Sequence, residues 1–160
     1  MADPHDFDFE LGTWSTQLSL LPAPLTGSTE WVEGKGTSVV RPIWEGQANL
    51  VELTAELPFG KLHALSLRLF DPATEQWSLN VATARGGTMS PPLVGGFVDG
   101  MGEFTGREDM DGRPVLVRFL ITPEGPDQIR FEQAFSTDDG ATWETNWIAI
   151  DTRAPDVHDA

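Results

Sequence analysis

The candidate acid–base residues lie on short segments in which apolar and polar residues alternate. His63 shares its parity with the leucines at positions 65, 67 and 69, so its imidazole is expected to face an apolar cavity as a proton shuttle or hydrogen-bond donor. Arg118 and Glu132, on two later segments of the same kind, complete the catalytic candidates. One acid or base beside a substrate folded by the shape of a pocket suits a cyclisation, isomerisation or dehydration.

An aromatic set accompanies these residues. The chain has six Trp, nine Phe and no Tyr, which is typical of core packing or of a pocket for a hydrophobic or planar ligand. If the apolar parity points inward, the wall of the pocket includes Trp77, Phe131 and Trp147. The polar residues of the same parity, which would orient a ligand, are His63, Thr83, Gln133 and Thr145.

The opposite parity leaves an alternative open. It carries Arg118, Glu132 and Asn146, but Leu116, Leu120 and Ile148 lie beside them. Either this apolar patch is a dimer interface, or the parity is reversed there and the three polar residues line the pocket. A buried Arg118 would then suit a carboxylate or phenolate ligand.

The elements that position these residues are short strands separated by turn residues. Asp-Gly pairs at 99–100, 111–112 and 139–140 predict hairpins, and Gly34 and Gly36 predict a break or bulge. The segment from Pro4 to Leu11 predicts one helical turn. The predicted strands are 13–20, 29–44, 48–57, 62–70, 76–84, 93–98, 101–110, 114–122, 128–136 and 143–153.

These elements predict an all-β chain with a single antiparallel, up-and-down β-barrel of about ten strands. Closure removes the exposed edges, and a barrel of this size leaves a ligand-sized interior. Two stacked sheets are the alternative. We expect one domain over residues 1–160, with its core at 7–153 and a flexible tail at 154–160.

Composition excludes several functions. The net charge of −15 argues against nucleic acid and against an anionic membrane surface. The chain has no Cys and only three His, so neither a thiol nucleophile nor a His-based metal triad is available. The acidic residues show no EF-hand spacing and no Gly-rich loop opens a helix, so we expect no metal and no cofactor. The polar N-terminus lacks the features of a secretory signal, which favours a cytoplasmic protein.

One local motif carries structure rather than chemistry. The stretch from Ser136 to Trp143 matches the Asp-box, S-x-D-x-G-x-T-W, whose Asp side chain caps a turn and whose Trp packs beneath it. A single copy cannot build the propeller in which this motif recurs, so we interpret it as a folding device and set glycosidase activity aside.

Two features resemble the calycin pattern of lipocalins and fatty-acid-binding proteins. Gly12-Thr13-Trp14 opens the first strand and Arg153 closes the last, which implies an arginine stacked on an indole at one barrel end. More of the chain resembles the DUF1579-type family of uncharacterised bacterial barrel proteins, which implies a fold and no established activity. The stretches that carry this second resemblance are 7–14, 67–74, 102–104, 113–119, 131–136 and 142–147.

Nitrobindin-like haem barrels share the Gly-Thr-Trp opening, but they need a late strand His, and the only late histidine here is His158 in the tail. We therefore expect a calycin-like barrel that binds a small hydrophobic or aromatic molecule. The alternative is a cofactor-independent biosynthetic enzyme acting on a natural-product intermediate in the same cavity. A third hypothesis is an interaction module that uses the Leu116, Leu120 and Ile148 patch, and the protein is expected to be a monomer or a homodimer.

Overall fold

The fold is a closed barrel of ten antiparallel strands. The computed structural model describes residues 3–155, so His158 and most of the predicted tail lie outside the described residues. A 3-10 turn, Asp8–Glu10, precedes the first strand, as predicted. The strands are β1 (Gly12–Leu20), β2 (Val32–Ile43), β3 (Ala48–Leu57), β4 (Gly60–Asp71), β5 (Gln76–Thr83), β6 (Leu93–Val98), β7 (Met101–Met110), β8 (Arg113–Pro123), β9 (Gln128–Ser136) and β10 (Glu144–Arg153).

Each strand pairs with its neighbours in the chain, and β1 pairs with β10 to close the barrel. The alternative of two stacked sheets is therefore wrong. The seam between β5 and β6 is the shortest, since only Trp77 to Leu79 pair with Gly95 to Leu93. Beyond it the 84–92 loop folds back, and Ser90 N–H donates to the Val81 carbonyl at 2.8 Å.

Asp99-Gly100 and Asp111-Gly112 form two-residue hairpin turns, as predicted, whereas Asp139-Gly140 lies within the longer connection between β9 and β10. Asp99, Asp111 and Asp139 all have φ between 53° and 62°, and the glycine that follows each of them also has positive φ. Consecutive left-handed residues match the twist of the flanking strands in a hairpin, which is why Asp-Gly is favoured there.

The predicted bulge at Gly34 and Gly36 is wrong. Strand β2 pairs in continuous register with β1 and β3 through both glycines. Their role is close approach, because a Cβ atom on Gly34 would lie 2.6 Å from the Glu56 carbonyl oxygen. The register shift occurs instead in β10, between Thr145 and Trp147.

One end of the barrel is plugged by the N-terminal segment. Arg153 lies 4.1 Å above the Trp14 ring and donates to the carbonyls of Phe9 and Leu11, both at 3.0 Å. The Phe7 ring packs edge-on against Trp77 at 4.7 Å. The arrangement of Trp14 and Arg153 implied by the calycin resemblance is therefore present, and this end of the barrel is filled with side chains.

Strand β4 faces the opposite way from the prediction. Leu62, Ala64, Ser66 and Arg68 line the interior, whereas His63 is exposed on the outer face. The outer positions at 65, 67 and 69 are leucines that stay half-buried, so their period-two pattern indicated the wrong face. The inner face of β4 is polar near the plugged end, because Arg68 forms an ion pair with Glu10 there.

None of the helices described between residues 3 and 155 has the length and apolar character needed to cross a bilayer.

Candidate functional site

A cavity of about 380 Å³ occupies the barrel above the plugged end. Its wall is mainly apolar and includes Leu53, Leu79, Phe119 and Phe131. The mouth lies at the opposite end, where Thr83 and Ser90 line the cavity and are exposed to solvent. This combination of an apolar wall, a few polar groups and one open end is typical of a small-molecule site.

The floor of the cavity is polar and buried. Thr16 on β1, Ser38 on β2 and Asp151 on β10 meet there, each at most 4% exposed. The Thr16 hydroxyl donates to Asp151 Oδ1 at 2.6 Å and lies 2.7 Å from the Ser38 hydroxyl. Since Thr16 has only one proton to donate, Ser38 donates to Thr16, and Asp151 accepts at the end of a hydroxyl chain.

A buried ion pair forms the other half of the floor. Arg68 Nη2 donates to Glu10 Oε2 at 2.9 Å, and Nη1 donates to Asn49 Oδ1 at 2.8 Å. The guanidinium carbon lies 4.7 Å from the centre of the Phe7 ring. Glu10 is 1% exposed, and its second oxygen, Oε1, has no hydrogen-bond partner within the described part of the chain. An unsatisfied buried carboxylate oxygen is costly, so it indicates a group that a ligand can satisfy.

Burial gives the Asp151 carboxyl unusual acid–base behaviour. Desolvation raises the pKa of Asp151 to about 7, and the hydrogen bond from Thr16 opposes this rise. The charge of Glu10 raises the pKa further, and that of Arg68 lowers it. A carboxyl group with a pKa near 7 exchanges its proton at neutral pH, as a general acid or base must.

The structure brings several of the predicted ligand-binding residues into the cavity. Phe131, Gln133, Trp147 and Thr83 all line it. Asn146 is buried beside them and accepts a hydrogen bond from Gln133 Nε2 at 2.9 Å. The shift in β10 explains how Asn146 and Trp147 both reach the inner side, since a bulge changes the alternation of faces.

Two predicted ligand-binding residues lie elsewhere. Trp77 belongs to the plugged end, where its indole N–H donates to the Asp3 carbonyl at 3.2 Å, and it does not line the cavity. Thr145 pairs with Ala134 before the bulge and therefore shares the outer face. Trp143, which has the same parity in the sequence as Trp147, stacks on the outside against Arg118.

The three predicted catalytic residues also lie outside the cavity. The Arg118 guanidinium lies 4.4 Å from the Trp143 ring, and Glu132 pairs with Arg130 at 3.5 Å on the outer surface. The reversed-parity alternative is therefore wrong for Arg118 and Glu132, while Asn146 is buried next to Gln133 without lining the cavity. His63 lines a separate outer groove with Glu52 and Met89. His63 and most of the residues that line this groove are exposed to solvent, so the inner cavity is the better site.

The residues of the floor were not predicted from the sequence. Because His63 is predicted to face inward, the alternation along the same strand puts Arg68 on the outer face, and Glu10, Ser38 and Asp151 were not among the candidates. One signal was available: Thr16 shares the inward parity of Trp14 and Leu18, and Asp151 shares that of Trp147. Polar residues at inward positions of two strands that close a barrel mark a buried polar site.

The Asp-box forms the β9–β10 turn. The Ser136 hydroxyl donates to Asp138 Oδ1 at 2.7 Å, and the Thr142 N–H donates to the same oxygen at 2.9 Å. Hydrogen bonds from Thr142 lower the pKa of Asp138 to about 2. These local contacts agree with a folding device at the rim. Between residues 3 and 155, no group of three or more His, Asp or Glu side chains is placed to hold a metal ion.

Known structures share this architecture. The S-type phycobiliprotein lyase CPES from Guillardia theta superimposes with a TM-score of 0.65 at 10% identity, covering 98% of this chain and 94% of the lyase. EF1p2_mFAP2b bound to DFHBI gives a TM-score of 0.52 at 8% identity, covering 94% of this chain and 98% of the other. The redesigned β-barrel mFAP0, also bound to DFHBI, gives 0.50 at 11% identity, with coverages of 91% and 99%. At such low identity these similarities show the fold alone.

No protein-family model matches the chain, and no curated protein matches it. The resemblance to DUF1579-type barrels therefore stays a prediction.

Proposed function

We propose that the protein binds a small hydrophobic or aromatic molecule inside the barrel. The observation that carries this proposal is the cavity itself, with an apolar wall of Phe119, Phe131 and Trp147 over a buried polar floor. The wall supplies the hydrophobic contribution to affinity, and the floor orients the ligand. Structural neighbours bound to DFHBI support it, because the same architecture holds a small molecule in them.

The size of the cavity limits the ligand. Its volume of about 380 Å³ lies near the low end of the range for small-molecule sites, roughly 300–1,000 Å³. A ligand of one or two rings would fit within the barrel, whereas a larger one would extend through the mouth past Thr83 and Ser90.

Fluorescence titration with a panel of one- and two-ring aromatic compounds tests this proposal. Trp147 lines the cavity, so a bound aromatic molecule is expected to change its emission, and Trp147→Phe is expected to remove that part of the signal. Native mass spectrometry of protein purified from its own host complements the titration, since a stoichiometric adduct would identify a ligand.

Two phenylalanine variants locate the binding site. Ala149→Phe fills the cavity and is expected to abolish binding. Ala82→Phe, on the outer groove with His63, adds the same side chain outside and is expected to leave binding unchanged. If Ala82→Phe abolishes binding and Ala149→Phe does not, the outer groove is the site. If no compound in the panel binds the wild-type protein, the proposal is wrong.

Asp151 supports a second candidate function, a cofactor-independent enzyme on the same barrel. A carboxyl group with a pKa of about 7 at the base of an apolar cavity can give or take a proton at neutral pH. A cyclisation, isomerisation or dehydration of a bound natural-product intermediate needs such a group. Once a ligand is known, its conversion by wild-type protein and the loss of turnover in Asp151→Asn with binding retained would establish this function. Binding without conversion in the wild type would exclude it for that ligand.

A further inference from the structure

The charged groups around the cavity have one predominant sign. Three carboxyl groups, those of Glu10, Glu108 and Asp151, line it together with a single guanidinium, that of Arg68. No lysine or histidine lies among the lining residues. With every group ionised, the cavity carries a net charge of −2, from one positive and three negative groups. The potential inside therefore favours a cation over an anion.

The arginine is already engaged by the protein. Arg68 Nε donates to Ser66 Oγ at 3.0 Å, and its two terminal nitrogens donate to Asn49 and Glu10. All three of its nitrogen atoms therefore have protein acceptors. A ligand carboxylate would have to compete with these partners and would also meet the carboxyl groups of Glu10 and Asp151.

The groups left for a ligand are hydrogen-bond acceptors. Glu10 Oε1 is buried without a partner, and Asp151 accepts from Thr16 through Oδ1 only. When Asp151 is ionised, both residues present acceptor oxygens and no proton to donate. A donor-rich, positively charged group satisfies them, and burying that charge beside carboxylates offsets its desolvation.

On the basis of the proposed function, we propose that the cavity selects a small hydrophobic or aromatic molecule that carries a protonated amine. Its ammonium group is held at the floor by Glu10 and Asp151, and its apolar body lies against Phe119, Phe131 and Trp147. The aromatic wall adds to this selectivity, because a cation is attracted to the face of an aromatic ring.

Proton release gives this proposal a signature that apolar binding lacks. The charged groups that face Asp151 are Glu10 in the 3-10 turn and Arg68 on β4, while Thr16 and Ser38 on β1 and β2 do not titrate in this range. At pH 6 Asp151 is mostly protonated, since its pKa is about 7. An ammonium at the floor favours the carboxylate, so its binding expels the Asp151 proton.

The test compares three probes with one two-ring body: 2-naphthylmethylamine, 2-naphthylmethanol and 2-naphthoate. Calorimetry on the full chain at pH 8 is expected to show the amine binding at least about tenfold more tightly than the naphthoate. At pH 6, titration in buffers of different ionisation enthalpy is expected to show release of nearly one proton per amine bound, and none for the alcohol.

Two variants distinguish the effect of the carboxyl group at the floor from the effect of the overall negative charge of the protein. Asp151→Asn is expected to lose the proton release and about tenfold in amine affinity, a larger loss than for 2-naphthylmethanol. Glu103→Gln removes one negative charge from the exposed outer face of β7, and the amine preference is expected to persist there. If Asp151→Asn does not fold, the proton release measured with the wild-type protein tests the inference by itself.

The failure of this inference differs from the failure of the proposed function. Equal affinity for the amine and the alcohol, tighter binding of the naphthoate, or amine binding without proton release would each overturn the inference and leave a binding barrel. If no naphthyl probe binds, the inference is wrong, and the aromatic panel then decides whether the proposed function stands.

Discussion

The plugged end and the cavity floor lie next to each other, and each is built around one arginine, partly exposed at the plug and buried at the floor. At the plugged end, Arg153 stacks on Trp14 and donates to neutral carbonyl groups of the N-terminal segment. At the floor, Arg68 faces the carboxylate of Glu10, with the carboxyl of Asp151 in the same cluster. Carbonyl partners do not titrate, and the ion pair of Arg153 with Asp127 at 3.5 Å is exposed and screened by solvent, so the plug is expected to depend little on pH. The buried carboxyl partners do titrate, and this difference makes the floor the reactive part of the barrel.

Removal of the Arg68 charge is expected to produce the largest effect. Arg68→Met keeps an unbranched side chain but leaves Glu10 buried without its cation, so it is expected to cost about 3–5 kcal/mol of unfolding free energy. Arg41→Met is the matched control, because Arg41 pairs with Glu52 at 2.7 Å on the exposed surface and is expected to cost less than about 1 kcal/mol. Urea denaturation measures both. Equal losses in the two variants would show that burial of the ion pair is unimportant.

Asp151→Asn is expected to stabilise the protein at alkaline pH. Below about pH 4 the carboxyl is protonated in both states. Between about pH 4 and 7 the carboxyl ionises in the unfolded chain but stays protonated in the folded protein. The stability of the wild-type protein therefore falls as the pH rises. Between pH 4 and pH 8 the wild-type protein is expected to lose at most about 4 kcal/mol of unfolding free energy through this carboxyl.

Thermal melts at pH 4 and pH 8 measure this effect. The variant is expected to melt several degrees above wild type at pH 8, with the gap closing at pH 4. Asparagine keeps an oxygen that can accept from Thr16, so the hydroxyl chain survives. A constant gap at both pH values would mean that Asp151 is not the group that titrates.

Arg153→Met tests the plugged end. It removes the stacking on Trp14 and two hydrogen bonds to carbonyl groups, and about 1–2 kcal/mol of stability is expected to be lost because the guanidinium is partly solvated. The loss is expected to be the same at pH 5 and pH 8, unlike that at the floor. A loss that changes with pH would contradict the distinction between the two regions.

The smallest expected difference concerns motion. The β5–β6 seam pairs over three residues, and the 84–92 loop that continues the wall is exposed along its whole length. Amide hydrogens of this loop are expected to exchange faster than those of β1 and β2, whose pairing is long and continuous. Hydrogen-exchange mass spectrometry compares them, and a ligand that enters past Ser90 is expected to slow exchange in the loop. Equal protection before ligand is added would argue against this entrance.

Much of the fold could be predicted from local patterns. Alternation and Asp-Gly turns placed all ten strands within a few residues, because a strand with one buried face and a hairpin with left-handed residues are local properties. The residues of the site were harder to predict. Phe131, Gln133 and Trp147 line the cavity, but β4 was assigned to the wrong face because three leucines alternate on its outer face while Ser66 and Arg68 lie on its inner face. A bulge in β10 reversed the faces of Thr145 and Asn146.

The sequence by itself determined the strand segments, their turns and the aromatic character of the interior. Only the tertiary structure decided which polar residues are buried together. Glu10, Arg68 and Asp151 are separated by 58 residues or more, and each alone resembles an ordinary surface charge. Closure of β1 against β10 and insertion of the N-terminal turn bring them to one floor. Burial then changes the pKa of Asp151, because desolvation depends on what surrounds a carboxyl group and not on its position in the chain.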